Sequence, residues 1–441
     1  MKDDQFLRDL QRPQYVATPD ALLSALAWLG HTWPGRDEGG TMRGLMYKSE
    51  RKSGKKVRVL ATYPETPAQT ESFIKDFRPD SALDRGDLAE AVAHSVLGIR
   101  AEKSAQHPAA PLTLHLALLQ DLRGFLGTAN PPNLGAILEQ LYALGVPAGS
   151  SQVGPAERWL EAVTTRTQAD VVLQALDRGA HRLLPPDVER TTLAKVTGRG
   201  IPEVRSPMTW FADKWPQLMG PEWTDALPIR VWVDWCCTVL RMALGFGYLW
   251  EASWYELFAR ARLGNQPHDP TSIASRIPTL VPWVASDAQV GVRDVASALK
   301  SRVKRGDAVR GVLGRSAEPS DDDLREALTS PGTAGNNAWE AIRYALKCRD
   351  QAGPYADHYG LLRARGTRYL VVEPGPEWVA VIASLATGGP GRTTDARQVM
   401  DDLYALGLRP ELRDLVLQLE LAGMANGSAD ADYGLEVRSA Y

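Results

Sequence analysis

The sequence predicts a mainly α-helical fold with one small N-terminal β-hairpin and a compact C-terminal module of short helices and strands. Apolar residues recur at helical spacing along most of the chain. β-forming residues gather in one stretch near residue 57, and seven of the 13 tryptophans lie between Pro207 and Leu263. At 441 residues, 44% hydrophobic and 23% charged, the chain is long enough for two or three packed units. We divide it into an N-terminal α+β unit (1–110), a helical unit (111–200), a Trp-rich helical core (201–365) and the C-terminal module (366–441).

Thr18-Pro19-Asp20 is a cap-and-N1 signal followed by Leu22, Leu23, Leu26 and Leu29, which predicts the first helix. A hairpin comes next, with arms Met42 to Ser49 and Lys56 to Tyr63 and a turn around Lys52-Ser53-Gly54; Val57, Val59 and Leu60 are its β-formers. Amphipathic helices are expected at about Thr66 to Phe77, Asp87 to Leu97 and Leu112 to Leu126. Asn130-Pro131-Pro132 interrupts, and Asn133 is a candidate cap for a helix that Gly145 ends. Small residues and prolines at 148–154, 184–186 and 198–202 cut the middle of the chain into short elements.

Leu227 to Trp250 is the most apolar stretch, but Arg230, Asp234 and Arg241 interrupt it, so it reads as a buried helix and not a membrane span. Trp232, Trp235, Val239, Met242, Phe246 and Leu249 form an apolar stripe on one face. Cys236 and Cys237 have no His or Cys at ligand spacing and read as small buried hydrophobes. Further on, Val292, Val295, Leu299 and Val303 predict a helix whose outer face carries Arg293, Lys300, Arg302, Lys304, Arg305, Arg310 and Arg315.

The C-terminal module is the most legible part. Arg368 to Val372 reads as a strand, and Glu377 to Ala386 as a helix with Trp378, Val381, Ile382 and Leu385 inward. Thr394-Asp395 caps a second helix with Ala396, Val399, Met400, Leu403 and Leu406 inward and Gly407 past its end. Pro410 starts a third, with Leu412, Leu415, Val416 and Leu419 on one face and Gly423 closing it. Asn426-Gly427 and Tyr433 to Val437 complete a short hairpin. This order resembles a winged helix-turn-helix domain over about a sixth of the chain. Leu141 to Pro147 repeats the Leu-Tyr-Ala-Leu-Gly run of Leu403 to Pro410, both as helix ends with a glycine stop.

Charge bounds the partners. Lys plus Arg total 50 and Asp plus Glu 53, so a net charge of -3 provides no whole-molecule attraction to nucleic acid. From Thr393 to Tyr441, four basic residues face nine acidic ones, and a third helix bearing Glu411, Asp414 and Glu420 repels phosphates. Glu411, Asp414, Leu417 and Gln418 are therefore candidate protein-interface residues. The hairpin is the best basic feature: Arg43, Lys48, Arg51, Lys52, Lys55, Lys56 and Arg58 against Glu50 alone. With Lys300, Arg302, Lys304 and Arg305, these are the candidate nucleic-acid contacts.

No phosphate-binding loop, nucleophile elbow, H-E-x-x-H or C-x-x-C pair occurs, and the seven histidines are scattered without ligand spacing. No catalytic residue, cofactor or metal site is expected. The nearest catalytic pattern is Asp37 with Glu50-Arg51-Lys52, an order used by metal-dependent nucleases, with Glu50 and Lys52 expected in a polar turn. Asp430-Ala431-Asp432 reads as a solvated turn. Three cysteines and a charged N-terminus without an apolar segment predict a cytoplasmic protein.

The strand Arg368-Tyr369-Leu370-Val371-Val372, leading into a short acidic winged helix, resembles accessory proteins of multi-gene bacterial phage-defence islands, of the phosphorothioation-dependent, BREX-like and methylation-associated kinds. The resemblance implies a non-enzymatic subunit working beside ATPases, methyltransferases or nucleases. Its expected partners are other protein subunits, with double-stranded DNA second and no membrane. A metal-dependent nuclease and a winged-helix DNA-binding regulator are the alternatives.

Overall fold

The computed structural model describes residues 6–7, 10–12, 19–32, 47–52, 55–60, 75, 110–119, 134–182, 184, 188–201, 204–283, 294–316, 318–349, 356–365, 369–425 and 435–441. Helix α1 (Asp20–Leu29) is followed by β1 (His31–Thr32) and the ribbon β2 (Tyr47–Lys52) and β3 (Lys55–Leu60). Next come α2 (Leu114–Leu118), α3 (Leu134–Gly145), β4 (Ser151–Gln152), α4 (Pro155–Ala169), α5 (Val171–His181), β5 (Glu189–Arg190) and β6 (Val196–Thr197). The centre holds α6 (Pro207–Leu218), α7 (Pro221–Ala226), α8 (Ile229–Leu263), α9 (Pro270–Ala274), α10 (Ala296–Arg315), α11 (Asp321–Thr329) and α12 (Asn336–Leu346). The chain closes with β7 (Leu362–Arg365), β8 (Tyr369–Val372), α13 (Pro376–Ala386), β9 (Thr393–Asp395), α14 (Ala396–Ala405), α15 (Leu412–Leu421) and β10 (Glu436–Arg438).

The architecture is mainly helical, and every sheet pairs only two of these strands: β1 with β5, β2 with β3, β4 with β6, β7 with β8 and β9 with β10, all antiparallel. Apart from Lys75, the expected helices at 66–77 and 87–97 lie outside the described residues, as do the Asn130 and Asn426 breaks. In the hairpin, the paired strands shift toward the turn relative to the expected arms. Lys52 pairs with Lys55, leaving two residues to close the ribbon. Glu50 and Lys52 consequently lie inside strand β2, which corrects their expected place in the turn.

Helix α8 is the axis of the molecule. At ~1.5 Å per residue its 35 residues run about 50 Å. The expected one-sided stripe is an underestimate: every residue from Trp235 to Tyr255 is buried, because α1, α3, α6, α10 and α12 pack around it. Tight crossings make this possible. A Cβ on Gly306 of α10 would come within 2.3 Å of the Ala252 carbonyl oxygen of α8, so only glycine fits that crossing. Two tryptophans satisfy their indole N–H at the ends of other helices: Trp232 donates to the Leu218 carbonyl (3.1 Å) and Trp215 to that of Pro155 (3.1 Å).

Complete enclosure traps two charges on α8. Arg241 donates to the carbonyls of Ala345 (2.5 Å) and Lys347 (2.7 Å) and to Asp357 (2.9 Å). Glu251 pairs with Arg12, with Arg310 at 3.6 Å, and this fastens the N-terminal segment: Arg310 also donates to the Leu10 carbonyl (2.8 Å), Tyr248 donates to that of Gln11, and Phe6 sits edge-on to Trp254. Each buried charge is thus spent on tying a distant segment to the axis.

The C-terminal elements follow the sequence reading closely. Asp395 caps α14 by accepting from Gln398 N (2.9 Å), and Gly407 takes φ +78°, which the turn into α15 requires. The last strand does more than close a hairpin: β10 pairs with β9, and Val437 also bridges Ala425. The module is fused to the rest. Lys214 of α6 pairs with Asp402 of α14 (3.1 Å), Leu280 N donates to the Gly407 carbonyl (2.8 Å), Trp283 meets Trp378, and one continuous core runs through both. Among the described residues, no helix is long and apolar enough to cross a membrane.

Candidate functional site

Helix α15 carries apolar residues on its outer as well as its inner face. Its inner face buries Leu415 and Leu419, as the periodicity predicts. On the outside, Leu417 is 50% and Leu421 70% exposed, one helical turn apart, among Glu411, Arg413 and Glu420, which are also exposed. Asp414 and Gln418 lie half-buried along the flank. Tyr404 at the end of α14 adds an exposed ring, with the Arg409 guanidinium 5.5 Å from its centre. The structure therefore brings Glu411, Asp414, Leu417 and Gln418 onto one helix and adds Leu421 and Tyr404, which the sequence reading missed. Leu421 could have been found from its spacing, since it falls four residues after Leu417 and off the buried face.

The two basic patches diverge. In the ribbon, Arg51 pairs with Lys56 and Lys52 with Lys55, so four cationic positions meet at its closed end; Lys48 and Arg58 lie further along, and Arg43 is outside the described residues. On α10, Lys300 is exposed and Lys304 half-buried, but Arg302 turns inward to donate to the Leu280 carbonyl (2.7 Å) and Arg305 pairs with Glu256 (3.0 Å). Two of the four expected phosphate contacts on this helix thus serve internal bonds. The helical pattern alone could not tell a solvated arginine from one that closes a loop.

A half-buried polar constellation joins α1 and α8. Arg230 lies 2.7 Å from Asp234 and 3.6 Å from Asp20, and the Cys237 thiol is 3.9 Å from Asp20. Burial pushes Asp234 up to about 6 and raises Asp20, against the opposing pull of Arg230. Such shifts also occur at catalytic sites. Here burial pushes Cys236 and Cys237 well up, which leaves both as protonated thiols rather than nucleophiles. Both are free and buried, in line with their reading as small hydrophobes. Among the described residues, no three His, Cys, Asp or Glu side chains converge as a metal site. What the constellation can do is hold α1 against α8.

The fold and its exposed surfaces thus define a helical protein whose least explained feature is the outer face of α15. Comparison with protein-family models, curated proteins and solved structures finds no match.

Proposed function

We propose that this chain is a non-enzymatic subunit of a bacterial multi-protein assembly, of the antiviral-defence kind its resemblance implies, and that residues 366–441 form an acidic winged helix that docks a partner protein through α15. The helix–strand–helix–helix–strand order of α13, β9, α14, α15 and β10 supports the winged-helix reading. The observation that carries the function is the exposed Leu417 and Leu421 pair set among Glu411, Asp414 and Glu420. Carboxylates on this helix repel phosphates, whereas two apolar anchors one turn apart are how a helix seats in a protein groove.

The basic ribbon is the element we assign to double-stranded DNA backbone contacts. Like charges directly opposed across a ribbon destabilise it. Arg51 opposite Lys56 and Lys52 opposite Lys55 are such pairs, and a phosphate backbone relieves both.

The test is affinity purification of the tagged chain from its native host, with nuclease treatment. Stoichiometric protein partners should survive the nuclease and be lost from the Leu417→Ser/Leu421→Ser variant. A chain that comes out alone overturns the reading. One observation favours a second reading: Glu50 and Lys52 lie two residues apart inside a strand, as in metal-dependent nucleases. Mg²⁺-dependent DNA cleavage by the isolated chain, abolished by Glu50→Ala, would replace the subunit reading.

A further inference from the structure

Three residues that the sequence leaves scattered meet between α2 and α5. Asp177 and His181 lie four apart on α5, and His115 is the second residue of α2. Asp177 Oδ2 accepts from His115 Nδ1 at 2.7 Å, and its Oδ1 accepts from the His115 backbone N at 3.0 Å. This double contact fixes the ring and places its proton on Nδ1, leaving the Nε2 lone pair facing away from the carboxylate. Facing that lone pair at 3.1 Å is Nδ1 of His181, with the rings edge to face at 4.6 Å between centres. His181 is exposed and His115 about a quarter exposed.

We propose that His115 and His181 form a two-imidazole site for a borderline divalent ion, Zn²⁺, with Asp177 as the carboxylate behind the first ligand. The spacing fits. Zn–N bonds of about 2.0–2.1 Å at a tetrahedral angle place two ligand nitrogens about 3.3 Å apart. Moving the His181 proton from Nδ1 to Nε2 by exchange with water, with a small turn of the exposed ring, converts the shared N–H···N contact into two lone pairs that converge on one point, while His115 stays held. Imidazole nitrogen suits Zn²⁺ and not Mg²⁺, which selects oxygen ligands. No third His, Cys, Asp or Glu completes the set among the described residues, so water fills the outer positions, on the side where His181 is exposed.

The double contact from Asp177 holds the His115 ring in the orientation a ligand needs. His31 belongs elsewhere: its Nδ1 meets the Ala27 carbonyl at 2.7 Å, and burial pushes it down to about 4. A bound ion would add a metal clip between α2 and α5 to the hydrogen bonds that already join them through His115 and Asp177.

The test is calorimetric titration and thermal unfolding of the full chain with ZnCl₂, with MgCl₂ in parallel. Zn²⁺ should bind saturably at one site and raise Tm, and Mg²⁺ should do neither. His181→Ala alters an exposed side chain, so the metal-free Tm should hold while Zn²⁺ affinity falls about tenfold or more. Asp177→Asn keeps both ligand nitrogens and should weaken binding about 10–100-fold. An unchanged Zn²⁺ affinity in His181→Ala, no saturable Zn²⁺ binding, or an equal response to Mg²⁺ overturns the proposal.

Discussion

Helices α8 and α15 depart from the ordinary inside-outside rule in opposite directions. The first buries two charges, Arg241 and Glu251, and the second exposes two leucines, Leu417 and Leu421. The buried charges are answered inside the chain. Arg241 has two carbonyls and Asp357, and Glu251 has Arg12 and Arg310. The leucines lie half or more open to solvent. A polar group that leaves water must find its partner within the fold or cost several kcal/mol, so its exceptions are closed internally. An exposed apolar side chain costs little by itself, so the chain can carry it for an outside partner.

The comparison breaks most sharply at Arg241. Arg241→Met should leave Asp357 and two carbonyls without their donor and destabilise the fold by about 3–5 kcal/mol, read as a lower midpoint in urea unfolding. A loss below about 1 kcal/mol would show that the segment around Asp357 rehydrates freely, and that the buried charge is not a fastening.

Glu139 sharpens the comparison, because burial and a second carboxylate, Glu157, act on it in the same direction. Burial pushes its carboxyl up to about 7, with Glu157 adding to the rise, although it accepts from Ala156 N at 2.9 Å. A carboxyl that titrates higher folded than unfolded binds more protons in the folded state between about pH 4.5 and 7. Stability is therefore fullest at the acid end of that window and declines as pH rises through it, by on the order of 2–3 kcal/mol. Glu139→Gln keeps an acceptor for Ala156 and should remove this decline, seen as a flatter dependence of unfolding free energy on pH from 5 to 8. An identical slope in the variant would assign the decline to other groups.

The smallest effect on stability belongs to α15. Leu417→Ser/Leu421→Ser should change unfolding free energy by no more than about 0.5 kcal/mol, while removing partner capture. A large loss of stability would mean that the two leucines pack within the chain.

Much of the fold was legible because it is local. The α13–α15 helices, the caps at Asp395 and Gly407, and the burial of Cys236 and Cys237 follow from spacing and end chemistry within a few residues. The candidate interface was half legible: Leu417 and, four residues on, Leu421 fall off the buried face, but the exposure of Tyr404 on the neighbouring helix is set by packing. On α10, the same periodic pattern concealed that Arg302 and Arg305 turn to Leu280 and Glu256.

The sequence by itself determined that the chain is mainly helical, where the helices of the last module form, that the Trp-rich segment is buried, and that the last module is acidic, since propensity, capping and net charge are sums over near neighbours. Only the tertiary structure decided that α8 is enclosed on every side, that Arg241 and Glu251 are fastenings, and that His115 meets His181 across 66 residues. These depend on which distant segments share a desolvated space, and a linear pattern of residues does not record those distances.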